Sequence, residues 1–216
     1  MLTAAAAILL LGIITDPAAT SELVRATQDK ESLARELPRI PPVEPDKALT
    51  TFTLQHGFRL QLVASEPLVA DPVDACFDAD GRLYVAQMHG YPFSQEPTRL
   101  NPQGGGKPDA GIVRLLEDTD GDGRFDRSVK FADKIRWPTS VCCYDGGVFV
   151  LAPPKLHYFK DTTGDGVADI RRDVLTGFGR ENVQSVANNL KWGLDNRITL
   201  AAGRNGGKLS HKGQTV

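Results

Sequence analysis

The sequence predicts an all-β chain built from short strands, and three observations predict it. Beyond residue 50 the apolar pattern has period two, as in "FRLQLVAS" and "GRLYVAQ", and no segment sustains a 3.6-residue period. The apolar runs are punctuated by Gly, Asp and Pro, with 21 Gly and 14 Pro in 216 residues. An internal repeat underlies both features: the acidic loop that begins at Asp118 has a second copy 43 residues later, at Asp161. Four short strands in about 40 to 50 residues make one blade of a β-propeller. The expectation is therefore a partial β-propeller of about three to four blades of four-stranded antiparallel sheet, preceded by an N-terminal helical or signal segment.

Residues 1–20 come first. Ala4 to Ile14 is an unbroken run of 11 apolar or small residues. A bilayer span needs about 20, so the run suits the apolar region of an export signal or an anchor better than a transmembrane helix. No Lys or Arg precedes it, and Pro17-Ala18-Ala19 is a weak cleavage cue. Residues 21–48 follow. Ser21 to Leu37 reads as a polar helix with Ser21 as cap and charges three and four apart. Pro38 to Lys47 holds four prolines in ten residues and reads as a stiff extended linker. The globular domain is expected over 49–216.

Three stretches define its repeat: "ACFDADGRLYVAQ" from Ala75, "VCCYDGGVFVLA" from Val141 and "LKWGLDNRITLAA" from Leu190. Each carries a turn (Asp80-Gly81, Asp145-Gly146, Asp195-Asn196) and then an alternating strand. Such pairs supply the positive φ that tight hairpins require. The stretch "MHGYPFSQEPTRLNPQGGGKPDA" is a polar Gly/Pro-rich insertion in the first unit, read as a loop on one face. Its "NPQGGGKPDAG" lacks the spacing of a phosphate-binding loop. About three and a half units fit, fewer than a closed ring needs. A portion of a longer product, or a ring completed by another chain, is the expectation, with the missing blades as partner.

The acidic loops carry the clearest chemistry. Counting from Asp118, Asp120, Asp122, Gly123, Arg124 and Asp126 stand at positions 3, 5, 6, 7 and 9 of a calcium loop. Arg124 would ligate through its carbonyl. The second loop places Asp161, Thr163, Asp165, Val167 and Asp169 at the matching positions, with Val167 acting through its carbonyl. The position-12 carboxylate is missing from both: Val129 and Arg172 stand there. Hard oxygens on a tight turn suit Ca²⁺. The role would be structural, pinning a hairpin at a blade edge. The alternative is an acidic turn favoured by Asp and Gly alone.

Other classes recede. The net charge is −2 and no basic stripe is present, which argues against nucleic acid. Cys76, Cys142 and Cys143 form no CxxC or CxxCH pattern, so no zinc, iron–sulfur or haem site can be read. The adjacent pair could close a strained disulfide; small apolar strand residues are the plainer reading.

The phrases "ALTTFTLQHGFRLQLVASEPLVADPVDACFDADGRLYVAQM", "GIVRLLEDTDGDGRFDRSVKFADKIRWPTSVCCYDGGVFVLA" and "YFKDTTGDGVADIRRDVLTGFGRENVQ…WGLDNRI" resemble the opening of the planctomycete-type membrane-bound dehydrogenases, over about Leu49 to Gly207. The resemblance implies an exported, extracytoplasmic propeller similar to soluble quinoprotein sugar dehydrogenases, commonly followed by helical repeats and a cytochrome c domain. Membrane association would come only through the N-terminal segment. In the sugar-dehydrogenase relatives a His before a "GxDG" turn acts as base toward the substrate hydroxyl. Here that position falls near Ser185, and none of His56, His89, His157 and His211 matches it. Arg204 and Asn205 follow the "ITLAA" strand, and an Arg there could meet pyrroloquinoline quinone. Two functions follow as expectations. One is the N-terminal propeller portion of an exported sugar or alcohol dehydrogenase, inactive alone. The other is a calcium-stabilised propeller module for binding or scaffolding.

Overall fold

The computed structural model describes Ser32, residues 40–92 and residues 105–216. The apolar segment of residues 1–20 lies outside the described residues, as does most of the 21–37 segment, of which Ser32 alone is described and is helical. The chain divides into two compact units, Met1–Ala48 and Leu49–Val216. In the first, the expected extended linker ends instead in one helical turn, Pro45–Ala48. Pro45 suits the first helical position, where its missing N–H has no partner to lose. The N–H groups of Lys47 and Ala48 close the turn on the Glu44 carbonyl at 2.9 and 3.0 Å.

The second unit is all-β. Strands β1 (Pro72–Phe77), β2 (Leu83–Gln87), β3 (Gly111–Glu117) and β4 (Arg127–Ile135) form one antiparallel meander in sequence order. Strands β5 (Ser140–Tyr144), β6 (Gly147–Ala152), β7 (Lys155–Lys160) and β8 (Ile170–Phe178) form a second. The first acidic loop joins β3 to β4 and the second joins β7 to β8, so the two meanders are the two copies of the repeat. The hairpin turns carry the conformations their residues suit. Asp145 and Gly146 both have positive φ, 47° and 68°, in the two-residue turn between β5 and β6.

The third unit departs from the expected blade count. Strands β9 (Asn188–Trp192) and β10 (Ile198–Ala201) pair only with each other, while β11 (Gly207–His211) and β12 (Gln214–Thr215) extend the second sheet in the order β12-β11-β8-β7-β6-β5. Two complete four-stranded units and one divided unit replace three and a half blades, and the described residues close no ring. Glycine permits the extension. A Cβ on Gly177, where φ is 101°, would lie 2.0 Å from the Lys208 carbonyl oxygen, so only a bare backbone lets β11 approach β8.

The first strands of the three units lie side by side. Asp74 of β1 accepts from the Ser140 hydroxyl and from the Val141 N–H at 3.0 Å. Ser140 Oγ in turn accepts the Leu190 N–H of β9 at 2.8 Å. Three apolar layers hold the unit. The largest joins the two meanders, with Tyr84, Val113, Leu115 and Phe131 from the first against Val141, Val148, Val150 and Phe159 from the second. A second layer sets Leu151, Leu156 and Phe178 against Ala187 and Leu190. The third covers the far side of the first meander, where Leu83, Val85, Leu116 and Phe125 meet Ala64 and Val69.

That last layer corrects an expectation. The alternation in Phe58–Ser65 predicts a strand, yet the segment joins no sheet. Its Ala64 packs on the first meander, and its Val63 carbonyl accepts the Phe125 N–H at 2.8 Å. The equivalent bond one repeat later runs from the Ala168 N–H to the Phe131 carbonyl of β4, also 2.8 Å. Toward its acidic loop, residues 61–69 therefore occupy the place that β4 occupies toward the next one.

Candidate functional site

Each acidic loop is a connection whose first Asp turns the chain back on itself. Asp118 accepts the N–H groups of Gly121 and Gly123 at 2.8 and 2.9 Å, and Asp161 accepts those of Gly164 and Gly166 at 2.7 Å each. The four glycines have positive φ, between 76° and 88°. The position-9 carboxylates are turned the other way: Asp126 accepts the Thr119 hydroxyl and Asp169 the Thr162 hydroxyl, both at 2.6 Å. Geometry at this position thus departs from the expected ligand set, because a local threonine captures each carboxylate.

Among the described residues one group gathers ligand atoms closely enough for a metal. Carboxylate oxygens of Asp118, Asp120 and Asp122 lie within 4.8 Å of one another. Asp118 is half-buried and Asp120 and Asp122 are exposed; three carboxylates at this spacing repel each other, and the donor set is all hard oxygen, which fits Ca²⁺. The Gly123 amide, foremost, holds the Asp118 carboxyl below its ordinary value, so it stays ionised for a cation. Burial would raise Asp161, but the amides of Gly166 and Gly164 outweigh it and hold that carboxyl low as well. The second loop gathers fewer carboxylates because Thr163 stands where Asp120 does, and its hydroxyl bonds Asp161 at 3.2 Å.

A second feature lies where the inner strands begin. A cleft of about 390 Å³ is lined by Asp74, Met88, Tyr91, Thr139, Gln184 and Asn188, among others. Tyr91 spans it, donating to the Val183 carbonyl at 3.3 Å and meeting Trp137 edge-on at 5.8 Å. Ser185 belongs to the 3-10 turn Val183–Ser185, whose Val183 and Gln184 form one wall. His89, between the lining residues Met88 and Tyr91, bonds Asp71 through Nδ1 at 2.9 Å and faces Gln87 Oε1 at 3.3 Å. His89 belongs to the insertion expected as a loop on one face. The carboxylate partner lies 18 residues away, across β1 and β2, and only the hairpin brings it near. Gln87 is 1 % exposed, and among the described residues its Nε2 has no hydrogen-bond partner.

Arg204 and Asn205 stand apart from the cleft lining. The Asn205 side chain is spent on the chain itself: it accepts the Asn182 N–H at 3.0 Å and donates to the Asn182 and Ser185 carbonyls at 2.8 and 3.2 Å. Arg204 is exposed. These two residues form no cradle for the carboxylates of pyrroloquinoline quinone. Asn205 instead fixes the wall that carries Ser185. His157 pairs with Asp173 at 2.8 Å across β7 and β8, and His211 meets the Val174 carbonyl at 2.8 Å; both are sheet contacts. Among the described residues no helix is long and apolar enough to cross a membrane.

Residues 44–216 match the model of a family described as a domain of unknown function, DUF7133, and the chain belongs to that family. No curated protein matches, and no solved structure matches.

Proposed function

We propose that this member of the DUF7133 family is the N-terminal propeller portion of an exported, quinoprotein-like dehydrogenase of sugars or alcohols. It supplies a binding cleft and calcium-pinned loops, and it is inactive alone. The cleft at the start of the inner strands carries this reading. It presents Gln184, Asn188 and Asn189, a polar lining suited to a polyhydroxylated ligand. The resemblance to membrane-bound dehydrogenases supports the reaction class, and a cytochrome c domain or protein would be the electron-accepting partner. Asp118, Asp120 and Asp122 would hold the cation, with the Arg124 carbonyl available beside them.

The test is dye-linked turnover of a sugar and alcohol panel by the full-length gene product, with pyrroloquinoline quinone and calcium. Turnover that falls at least tenfold in Asn188→Ala supports the reading. A full-length product that neither binds the quinone nor turns over any substrate overturns it. Asn205, spent on the backbone of Asn182 and Ser185, and Ser185 itself, near the place of the sugar dehydrogenases' base, favour a second reading. This is a calcium-stabilised propeller module for binding or scaffolding. Ligand binding without any turnover would select it.

A further inference from the structure

The notable pairing outside both sites is between two thiols. Cys76 of β1 and Cys143 of β5 are 67 positions apart in sequence, yet their sulfurs lie 3.1 Å from each other. They sit on adjacent inner strands of different sheets, beside the core that joins the two meanders. Cys142 points to the opposite face of β5, buried with Leu151 and Leu190. Successive residues of a strand face opposite ways, so the strand geometry separates Cys142 from Cys143 and brings Cys143 to Cys76. Cys143 also lines an open cleft of about 230 Å³, with Phe77, Asp78, Arg82 and Tyr144, through which a small oxidant reaches the pair.

We propose that Cys76 and Cys143 are a thiol–disulfide site that staples the first sheet to the second when it is oxidised. A disulfide needs its sulfurs at about 2.05 Å, so closure asks for a movement of only about 1 Å. All three cysteines carry free thiols here. The roles within the pair are unequal. The hydrogen bond between the two thiols is the largest influence on each, lowering Cys76 and raising Cys143. The exchange can begin at Cys76, and a start at Cys143 forms the same bond.

The co-reactant is a disulfide, either a small molecule or a redox protein, written R–S–S–R. The Cys76 thiolate attacks one of its sulfurs and expels RS⁻, which takes up the proton Cys76 gave away. Cys143 then gives up its proton and attacks the Cys76 sulfur of the mixed disulfide, expelling the second RSH. The two protein thiols lose two electrons and two protons, and R–S–S–R is reduced to two RSH. The bond adds a covalent link between two sheets that are otherwise joined by side-chain packing, by the Asp74 bonds to Ser140 and Val141, and by the Ala168–Phe131 backbone bond.

The full chain would be equilibrated in oxidised and reduced glutathione at several ratios, quenched in acid, alkylated and mapped. Tryptic peptides 60–82 and 137–155 carry the three cysteines. The proposal expects these peptides to be linked, with one of three thiols left to alkylate. It expects Cys142→Ser to keep the link, and Cys76→Ser or Cys143→Ser to give glutathione adducts without it. Oxidation should also raise Tm by roughly 5–10 °C in the wild type and in Cys142→Ser. Three alkylated thiols at every ratio would overturn the proposal, as would a Cys142–Cys143 bond that survives in Cys76→Ser. The mapping of the wild-type chain decides this even if a variant fails to fold.

Discussion

Ser140 shows how much one side chain can join. Its hydroxyl donates to Asp74 on β1 and accepts the Leu190 N–H of β9, at 0 % exposure. Ser140→Ala leaves a buried N–H and a carboxylate oxygen short of a partner. A loss of about 1–3 kcal/mol follows, read as a lower midpoint in urea with an unchanged slope. Ser140→Gly would lose the same bonds, so a full rescue by Gly would contradict the argument. This role was not legible in the sequence. Asp74 and Ser140 are 66 residues apart, and nothing in either local pattern pairs them. The turns were legible because their chemistry is local. Gly81 and Asn196 take positive φ, 80° and 60°, at matching places in two five-residue hairpins. The carboxylates at loop positions 1, 3 and 5 were legible for the same reason. Position 9 was not, since a threonine side chain competes for it.

The strand pair β7–β8 carries the clearest pH dependence among the elements. Burial would raise the Asp173 carboxyl, but Lys155 at 2.7 Å and His157 at 2.8 Å outweigh it and hold it below its ordinary 3.8. A folded-state value below the unfolded one contributes stability that is present above pH 3.8 and lost as pH falls through the depressed value. His157 has the opposite balance: burial, the largest influence, holds it below 6.5 despite Asp173. The unfolded chain therefore takes up that proton first, and stability begins to fall as pH drops through 6.5. Melts between pH 3 and 8 should show both declines. Asp173→Asn should shrink the lower one, to which the other depressed carboxyls also contribute, and a profile unchanged by that substitution would contradict the account. Asp173 is 40 % exposed, so added salt should shrink its share. Element order was legible from period-two patterning wherever a partner strand exists. Phe58–Ser65 has the pattern without the partner: its Val63 carbonyl goes to the first acidic loop and its Ala64 to the face of the first meander, while Phe58, Leu60 and Val63 stay exposed. The pairing of β11 with β8 was equally hidden, since it depends on two glycines whose effect is felt only across the sheet.

At the scale of the molecule, stability rests on the layer between the two meanders. Phe131 is fully buried there and meets Tyr84 edge-on at 4.9 Å. Phe131→Ala should cost about 3–5 kcal/mol by calorimetry, a large share of a domain's total. A cost below about 1 kcal/mol would mean that the sheets do not depend on this layer. The repeat offset made two equivalent units legible, and the recurring loop-to-neighbour bonds at Val63 and Phe131 explain it physically: each acidic loop docks on the layer before it. The claim that ties the repeat to the proposed function is that these loops hold a cation. Thermal melts of the full chain, in excess EDTA and in millimolar calcium, test it most directly. The account predicts a cooperative transition that rises with calcium, by about 2.7 kcal/mol at 100 times the dissociation constant, and a rise largely lost in Asp120→Asn. A cooperative transition at the same temperature in both buffers would contradict it and leave Asp118 to Asp126 an acidic turn.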